Sequence, residues 1–382
     1  MKTNLVSNRN GRPNSGGGAL DSEAGGAAST LESAPAALVD LIRRAEAAGA
    51  SDIHLQMSER GAEIAFRLDG VMTAAPGLER ELAERLFGRI KFLARLKTYQ
   101  DSLPQDGRID KAEIGAQSDV RVATYPAVIG EKIVLRLFQQ TAVKPLGELG
   151  LPPSVGAEVE RFLRQNSGLL LLTGPVGSGK TTTIYACLRQ LAEQGGRHVI
   201  TIEDPVEQII PGIMQTEVND ARGLSFARAA RHLLRQDPQV LVIGEIRDEE
   251  TANVTVRAAL TGHLVISTLH AGSCQGVFER LLVMCPDHYA VVSATELILN
   301  QRLVRRPCAA CGGSGCAECL GAGYRGRVPA VEWLRVDDAL RQRIRVEGPG
   351  AVRPAQTLAA AARDLLERGL SDEKECGRAL SP

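Results

Sequence analysis

An apolar run, Leu169–Leu172, leads through Thr173 straight into Gly174-Pro175-Val176-Gly177-Ser178-Gly179-Lys180-Thr181. Helical sequence, Thr181–Glu193, follows at once. Nothing else in the chain constrains its fold as tightly. A GxxxxGK[ST] segment between a buried strand and a helix is a phosphate-binding loop. Its glycines let successive backbone N–H groups curl round an anion, and the helix turns its positive end to the same anion. The candidate nucleotide contacts are Gly174, Pro175, Val176, Gly177, Ser178, Gly179, Lys180, Thr181 and Thr182. Lys180 is placed for the β- and γ-phosphates, and the Thr181 hydroxyl for Mg²⁺.

The surrounding pattern predicts a doubly wound α/β unit. Leu169–Leu172, Val199–Ile202, Val240–Ile243 and Leu264–Ser267 are short continuous apolar runs, suited to a parallel sheet covered on both faces. Helices fit Thr181–Glu193, Phe226–Arg235 and Glu249–Leu260. Ligands of such sheets bind at the carboxyl ends of the strands. Two acidic segments are delivered to that edge: Thr201-Ile202-Glu203-Asp204-Pro205-Val206-Glu207, and Glu245 after Val240–Gly244. Standing alone, either segment could be solvated loop acids; sharing an edge with the phosphate loop points to hydrolysis of a bound nucleotide. His263 and His270 bracket Leu264–Ser267. Each alone reads as a structural histidine. Beside the acids they are candidates to sense the γ-phosphate or orient a glutamate.

The chain's 382 residues suffice for about two or three domains. Residues 1–35, rich in Gly, Ala, Ser and Asn, are expected to be a disordered tail. From 36 to 140 a small α/β domain is predicted: a helix from Ala36 to Gly49, strands at Asp52–Gln56, Ala62–Leu68, Val71–Thr73, Asp119–Thr124 and Lys132–Phe138, and a helix over Glu79–Leu96. Residues 141–152, punctuated by Pro145, Gly147, Gly150 and Pro152, read as a linker. The loop-bearing unit spans 153–335 and includes a strand at Val328–Leu334; a helical segment with Gln356–Arg368 closes the chain over 336–382. Lys plus Arg and Asp plus Glu both number 45, which argues against a nucleic-acid partner held by bulk charge. Aromatics, at 3%, are too few for base-stacking platforms. No apolar run approaches the ~18 residues of a membrane span, and the start lacks a secretory signal, so a cytoplasmic location is expected.

Eight cysteines in that compartment are thiols or metal ligands. Four of them form Cys308-Ala-Ala-Cys311-Gly-Gly-Ser-Gly-Cys316-Ala-Glu-Cys319. Two CxxC pairs with a Gly-rich spacer supply four thiolates, for which tetrahedral Zn²⁺ is the natural occupant in a closed, structural site. Cys187, Cys274, Cys285 and Cys376 are scattered and carry no assignment.

In order along the chain stand Gly174–Thr181, Thr201–Glu207, Arg235-Gln236-Asp237-Pro238 with Gly244–Asp248, and Thr261-Gly262-His263 through Thr268-Leu269-His270. Together they resemble the Walker A, Asp box, Walker B and His box of the type II/type IV secretion ATPases, which include the GspE/PilB assembly and PilT retraction ATPases. Upstream, Ala50–His54, Arg67–Gly70, Pro104–Arg108 and Gly130–Lys132 are similar to the family's preceding domain; downstream, Gln301–Arg306 and Gly323–Arg327 also match. The resemblance covers about residues 36–335. It implies a RecA-like P-loop core preceded by a PAS-like α/β domain. Glu207 then matches the glutamate that activates water, with Glu203 a second candidate, and Glu245 the Walker B acid. Arg121 and Arg136 match arginines that reach the nucleotide from the preceding domain; Arg231 and Arg235 match others near it. His263 and His270 match the His-box pair. Implied cofactors are ATP, Mg²⁺ and Zn²⁺. The tetracysteine element resembles that of assembly members and is absent from retraction ATPases. The implied activity is ATP hydrolysis by a homo-hexamer. It would work on an inner-membrane platform protein, at the cytoplasmic face, to add pilin or pseudopilin subunits. With only the tail before the first motif, the expected form is the compact one of competence-pilus or minimal-pilus ATPases. A nucleotide-dependent switch with little turnover is the other reading.

Overall fold

The computed structural model describes residues 33–137 and 144–380. Residues 1–32 of the expected tail, Phe138, and 141–143 of the expected linker lie outside the described residues.

The first unit runs α1 (Ala34–Ala47), β1 (Ala50–Ser58), β2 (Gly61–Leu68), β3 (Val71–Glu79), α2 (Arg80–Leu93), β4 (Gln105–Ile109), α3 (Lys111–Ile114), β5 (Val120–Ala127) and β6 (Gly130–Leu137). Ser33 caps α1 by accepting from the Ala36 N–H, so the helix starts two residues before the expected Ala36. The six strands pair antiparallel in the order β3-β2-β1-β6-β5-β4. Alternation sends Ile53, Leu55, Ile133 and Leu135 to one face, against Leu38 and Ile42 of α1 and Leu86 and Ile90 of α2. The opposite face takes Asp52 and His54 of β1 and Arg136 of β6. β4 was not expected, because Gln105-Asp106-Gly107-Arg108 reads as a turn; it pairs with β5 as the sheet's edge.

The second unit runs α4 (Pro153–Leu163), β7 (Gly168–Thr173), α5 (Lys180–Gln194), β8 (Val199–Glu203), β9 (Met214–Glu217), α6 (Phe226–Leu233), β10 (Val240–Ile243) and α7 (Glu249–Leu260). It continues through β11 (Leu264–Leu269), α8 (Cys274–Met284), α9 (His288–Ala294), β12 (Thr295–Pro307) and β13 (Tyr324–Arg335) to α10 (Asp338–Glu347), α11 (Leu358–Glu367) and α12 (Glu373–Leu380). The seven-stranded order is β13-β12-β7-β11-β10-β8-β9. Neighbours from β12 to β9 are parallel; β13 alone runs antiparallel, against β12. Every residue of β7 is buried, with Leu169 and Leu171 in one core and Leu170 and Leu172 in the other. That two-faced burial is why the run reads as unbroken apolar sequence.

β12 escaped the sequence reading, because Asn300-Gln301-Arg302 interrupts its apolar run. Its polar members serve other elements: Asn300 donates to the Gly272 carbonyl at 2.9 Å, and Gln301 to Thr183 Oγ1 at 3.0 Å. The closing helices are part of the same unit. Leu340 and Ile344 of α10 join the core under β10 and β11, and Ala361 and Leu365 of α11 pack on Val304, Val328 and Ala330 of β12 and β13. The two units touch where Asp69, in the β2–β3 turn, accepts from the Gly326 N–H at 2.7 Å and pairs with Arg327 Nε at 3.3 Å.

Candidate nucleotide and metal sites

The phosphate loop joins β7 to α5. Gly174 has φ of +135°, and a Cβ there would meet the Gln301 carbonyl oxygen at 2.4 Å; only glycine fits. Lys180 Nζ folds back to donate to the carbonyls of Gly174 and Pro175, both at 2.9 Å. Burial holds its ammonium below the ordinary value, with Glu245 pulling the other way. Such a lysine gains charge stabilisation from an entering phosphate. Thr181 and Thr182 are exposed beside it, at the amino end of α5.

The acids arrive at the same edge. Glu245 follows β10; its carboxylate takes a hydrogen bond from Arg247 Nε at 2.6 Å, and its Oε2 lies 3.5 Å from His270 Nε2. Arg247 also bonds Asp204 Oδ2 at 3.1 Å, tying the two acidic segments together. Asp248 instead caps α7, accepting from the Thr251 N–H. Glu203 is buried and hydrogen-bonded: Tyr185 Oη donates to Oε2, Thr201 Oγ1 to Oε1 at 2.5 Å, and Gln215 Nε2 to Oε1 at 3.0 Å. These three donors make it part of the loop's scaffold. Glu207 is exposed, and burial of its surroundings, then the nearby Glu203 charge, raise its carboxyl above the ordinary value.

Tyr185 was missed from the sequence. Its hydroxyl binds Glu203 and accepts from the N–H groups of Glu207 (3.1 Å) and Gln208 (3.2 Å). It lies one helical turn beyond Thr181 on α5, so it fixes the acidic loop directly to the phosphate-loop helix. One tyrosine in an apolar helix stripe gives no signal of this.

The expected histidine pair is separated. His270 ends β11 beside Glu245. His263 precedes β11 and bonds the Ala258 carbonyl at the carboxyl end of α7, at 2.9 Å. A strand of six residues stands between them, about 20 Å at ~3.3 Å per residue. His263 therefore lies at the far edge of the sheet, away from its own phosphate loop.

The four cysteines are brought together. All four sulfurs lie within 4.8 Å of one another, with Cys308–Cys316 at 3.9 Å and Cys311–Cys319 and Cys316–Cys319 at 3.8 Å. A tetrahedral Zn²⁺ with Zn–S of about 2.3 Å spaces its sulfurs about 3.8 Å apart, so the cluster fits the ion. N–H groups of Gly315, Cys316 and Gly323 donate to Cys311 or Cys319 sulfurs, each at 3.2 Å. Against the effect of burial, the Cys316 and Gly323 N–H bonds and the Cys316 and Cys311 sulfur contacts pull the Cys319 thiol down to about 6. A Cβ at Gly323 would strike the Gly313 carbonyl oxygen at 2.4 Å, which explains the glycine-rich turn.

Comparison with known proteins settles the lineage. Residues 30–377 match the family described as type II/IV secretion system protein. The chain belongs to that family. Type II secretion system protein E of Klebsiella pneumoniae is 42% identical over 319 residues, 77% of this chain and 64% of that protein. Type II secretion system ATPase E of Vibrio cholerae is 40% identical over 325 residues, 78% of this chain and 64% of its own. The chain thus spans about 64% of the length of these relatives. Among solved structures, the pilus retraction motor PilT with bound ADP superposes with a TM-score of 0.64 at 29% identity, covering 90% of this chain and 96% of that one. The α/β fold with a parallel sheet is thus shared with that retraction motor.

The two expected arginine pairs sit on different parts of the molecule. Arg136 Nε donates to Asp52 Oδ1 at 2.9 Å in the first sheet, with Arg121 opposite it on β5. Arg231 and Arg235 line a groove of about 630 Å³ with Ser225, Arg228, His232 and Glu250; Arg231 pairs with Glu250 at 2.5 Å. α6 starts beside Gly244 and runs back toward the amino ends of the strands. Arg231, in its last turn, pairs with Glu250 at the amino end of α7, and Arg235 lies just past the end of α6. Among the described residues no helix is long and apolar enough to cross a membrane.

Proposed function

We propose that the chain is the ATP-hydrolysing subunit of a homo-hexameric motor that powers pilin or pseudopilin assembly in a type II secretion, type IV pilus or competence-pilus system. The convergence of the phosphate loop, Glu207 and the Glu245–His270 pair at one sheet edge carries this reading. Lys180 leaves its two carbonyls for the β- and γ-phosphates, and the first N–H groups of α5 hold the anion. Glu207 accepts a proton from water as its oxygen attacks the γ-phosphorus; the bond to the β–γ bridging oxygen breaks, giving ADP and phosphate. The raised Glu207 carboxyl suits a base. Thr181 and Glu245 are the residues that would hold Mg²⁺, which supplies charge neutralisation on the phosphates when bound. Arg121 and Arg136 meet the same charge from the first unit, a PAS-like domain facing a RecA-like core. Arg231 and Arg235 would add positive charge near the nucleotide. Cys308, Cys311, Cys316 and Cys319 would hold a structural Zn²⁺. This element, with the higher identity to secretion proteins E than to PilT, supports assembly over retraction. The motor would sit at the cytoplasmic face of the inner membrane on a platform protein.

A nucleotide switch with little turnover is the second reading, and the intact acids weigh against it. Glu207→Gln separates the two. A motor loses at least ~100-fold in turnover while nucleotide affinity stays within about threefold. Equal turnover in both proteins would refute the assignment of Glu207 as base.

A further inference from the structure

The solvent-side face of the first sheet carries one cross-strand row. Register places Arg67 opposite Asp52, Asp52 opposite Arg136, Arg136 opposite Arg121, and Arg121 opposite Arg108. Four arginines from four strands thus share one line with a single acid. The acid is at the line's most buried point: the Asp52 side chain is 5% exposed, against 61% for Arg136 and 36% for Arg67. Its Oδ1 takes the hydrogen bond from Arg136 Nε at 2.9 Å, and its Oδ2 lies 3.4 Å from Arg67 Nε and accepts from Ser51 Oγ at 2.8 Å. Arg136 is held to Asp52 through Nε, and Arg67 pairs with it through Nε while its Nη1 donates to the Gly70 carbonyl at 3.3 Å. The strand is also shaped for the contact. Between Ala50 and Asp52 the β1–β2 register slips by one, with Ser51 the extra residue of a bulge. Bulges of this kind re-aim a side chain beside a working site. Burial alone would raise the Asp52 carboxyl, yet the bonds to Arg136 and Ser51 hold it below the ordinary value, so it stays charged.

We propose that Asp52 is a positioning residue: its one buried carboxylate fixes Arg136 and Arg67 together, presenting both to nucleotide phosphate. This rests on the motor reading above and adds Arg67 to the arginines it uses. A long arginine side chain left to itself samples many rotamers, and a catalytic group displaced by about 1 Å can cost 100-fold.

The test is steady-state ATP turnover by the full chain, comparing wild type, Asp52→Asn, Arg136→Ala and the double variant. Asp52→Asn is expected to lower kcat about 10- to 100-fold with KM within threefold. The double variant is expected to lose less than the product of the two single losses, because Asp52 acts partly through Arg136 and partly through Arg67. Should Asp52→Asn fail to fold, Arg136→Lys replaces it; it keeps the charge but lacks Nε, and the same loss of kcat is expected. Wild-type kcat in Asp52→Asn or Arg136→Lys, or losses that multiply in the double variant, would overturn the inference alone. A wild type no faster than Lys180→Ala would overturn the motor reading and this inference with it.

Discussion

Glu207 and Glu203 show how one strand end delivers an exposed carboxylate and a buried, hydrogen-bonded neighbour. Both follow the same buried strand, and residue type cannot rank them. Tyr185, Thr201 and Gln215 all donate to Glu203, while Glu207 is exposed and has its carboxyl raised by its buried surroundings and by Glu203. The sign for activity is simple: a base works deprotonated, so turnover falls as pH drops through the Glu207 pKa. The acid limb of the kcat profile is therefore expected above 4.5, the ordinary glutamate value, and a limb at or below it would contradict the role. The histidines mark the limit of sequence reading at this scale. Two residues bracketing one strand are near in sequence and necessarily far apart in space. The pattern that located the strand already contained that separation.

Among the elements, β7, β10 and β11 were legible because burial on both faces leaves no room for polar residues. β12 was not, since Asn300 and Gln301 are recruited to hold the loops around the phosphate site. The cysteine turn was legible from spacing alone, because four thiolates at CxxC intervals have few other uses. Its integrity should depend on metal. Chelation is expected to remove hydrogen-exchange protection at Gly315, Cys316 and Gly323, whose N–H groups bond the cysteine sulfurs; unchanged protection would contradict a metal-held turn. Nothing in the sequence foretold how α12 is anchored. Buried Glu375 accepts from the Arg305 N–H at 3.1 Å, Arg305 Nη2 at 2.7 Å and Arg378 Nε at 2.8 Å. Burial opposes its charge, but Arg378 and Arg305 prevail and bring its carboxyl down to about 2 from 4.5. A depressed carboxyl adds stability above 4.5 that is lost as pH falls toward 2. Glu375→Gln strands the Arg305 charge and should cost about 3–5 kcal/mol in denaturant unfolding at neutral pH. A loss below about 1 kcal/mol would show the cluster to be solvated.

For the molecule as a whole, the parts of the proposed reaction are divided between surfaces. The loop and its acids occupy one edge of the parallel sheet. The arginine row occupies the open face of the other sheet, and Arg231 and Arg235 line a groove with Glu250 of α7. On the proposed function, a single chain holds the groups that bind and attack, while the arginines of the first unit meet the phosphates on closure of the two units. Conserving this division is what a ring motor requires: nucleotide bridges surfaces, and hydrolysis separates them. Sequence motifs named nearly all of these residues, but only the fold tells which of them face the same phosphate. The measurement that bears most directly on this account is ATP turnover per chain as a function of protein concentration, with Lys180→Ala as the blank. The account predicts turnover that rises steeply as copies assemble and disappears in the blank. Turnover per chain that is independent of concentration, or equal to the blank throughout, would contradict it.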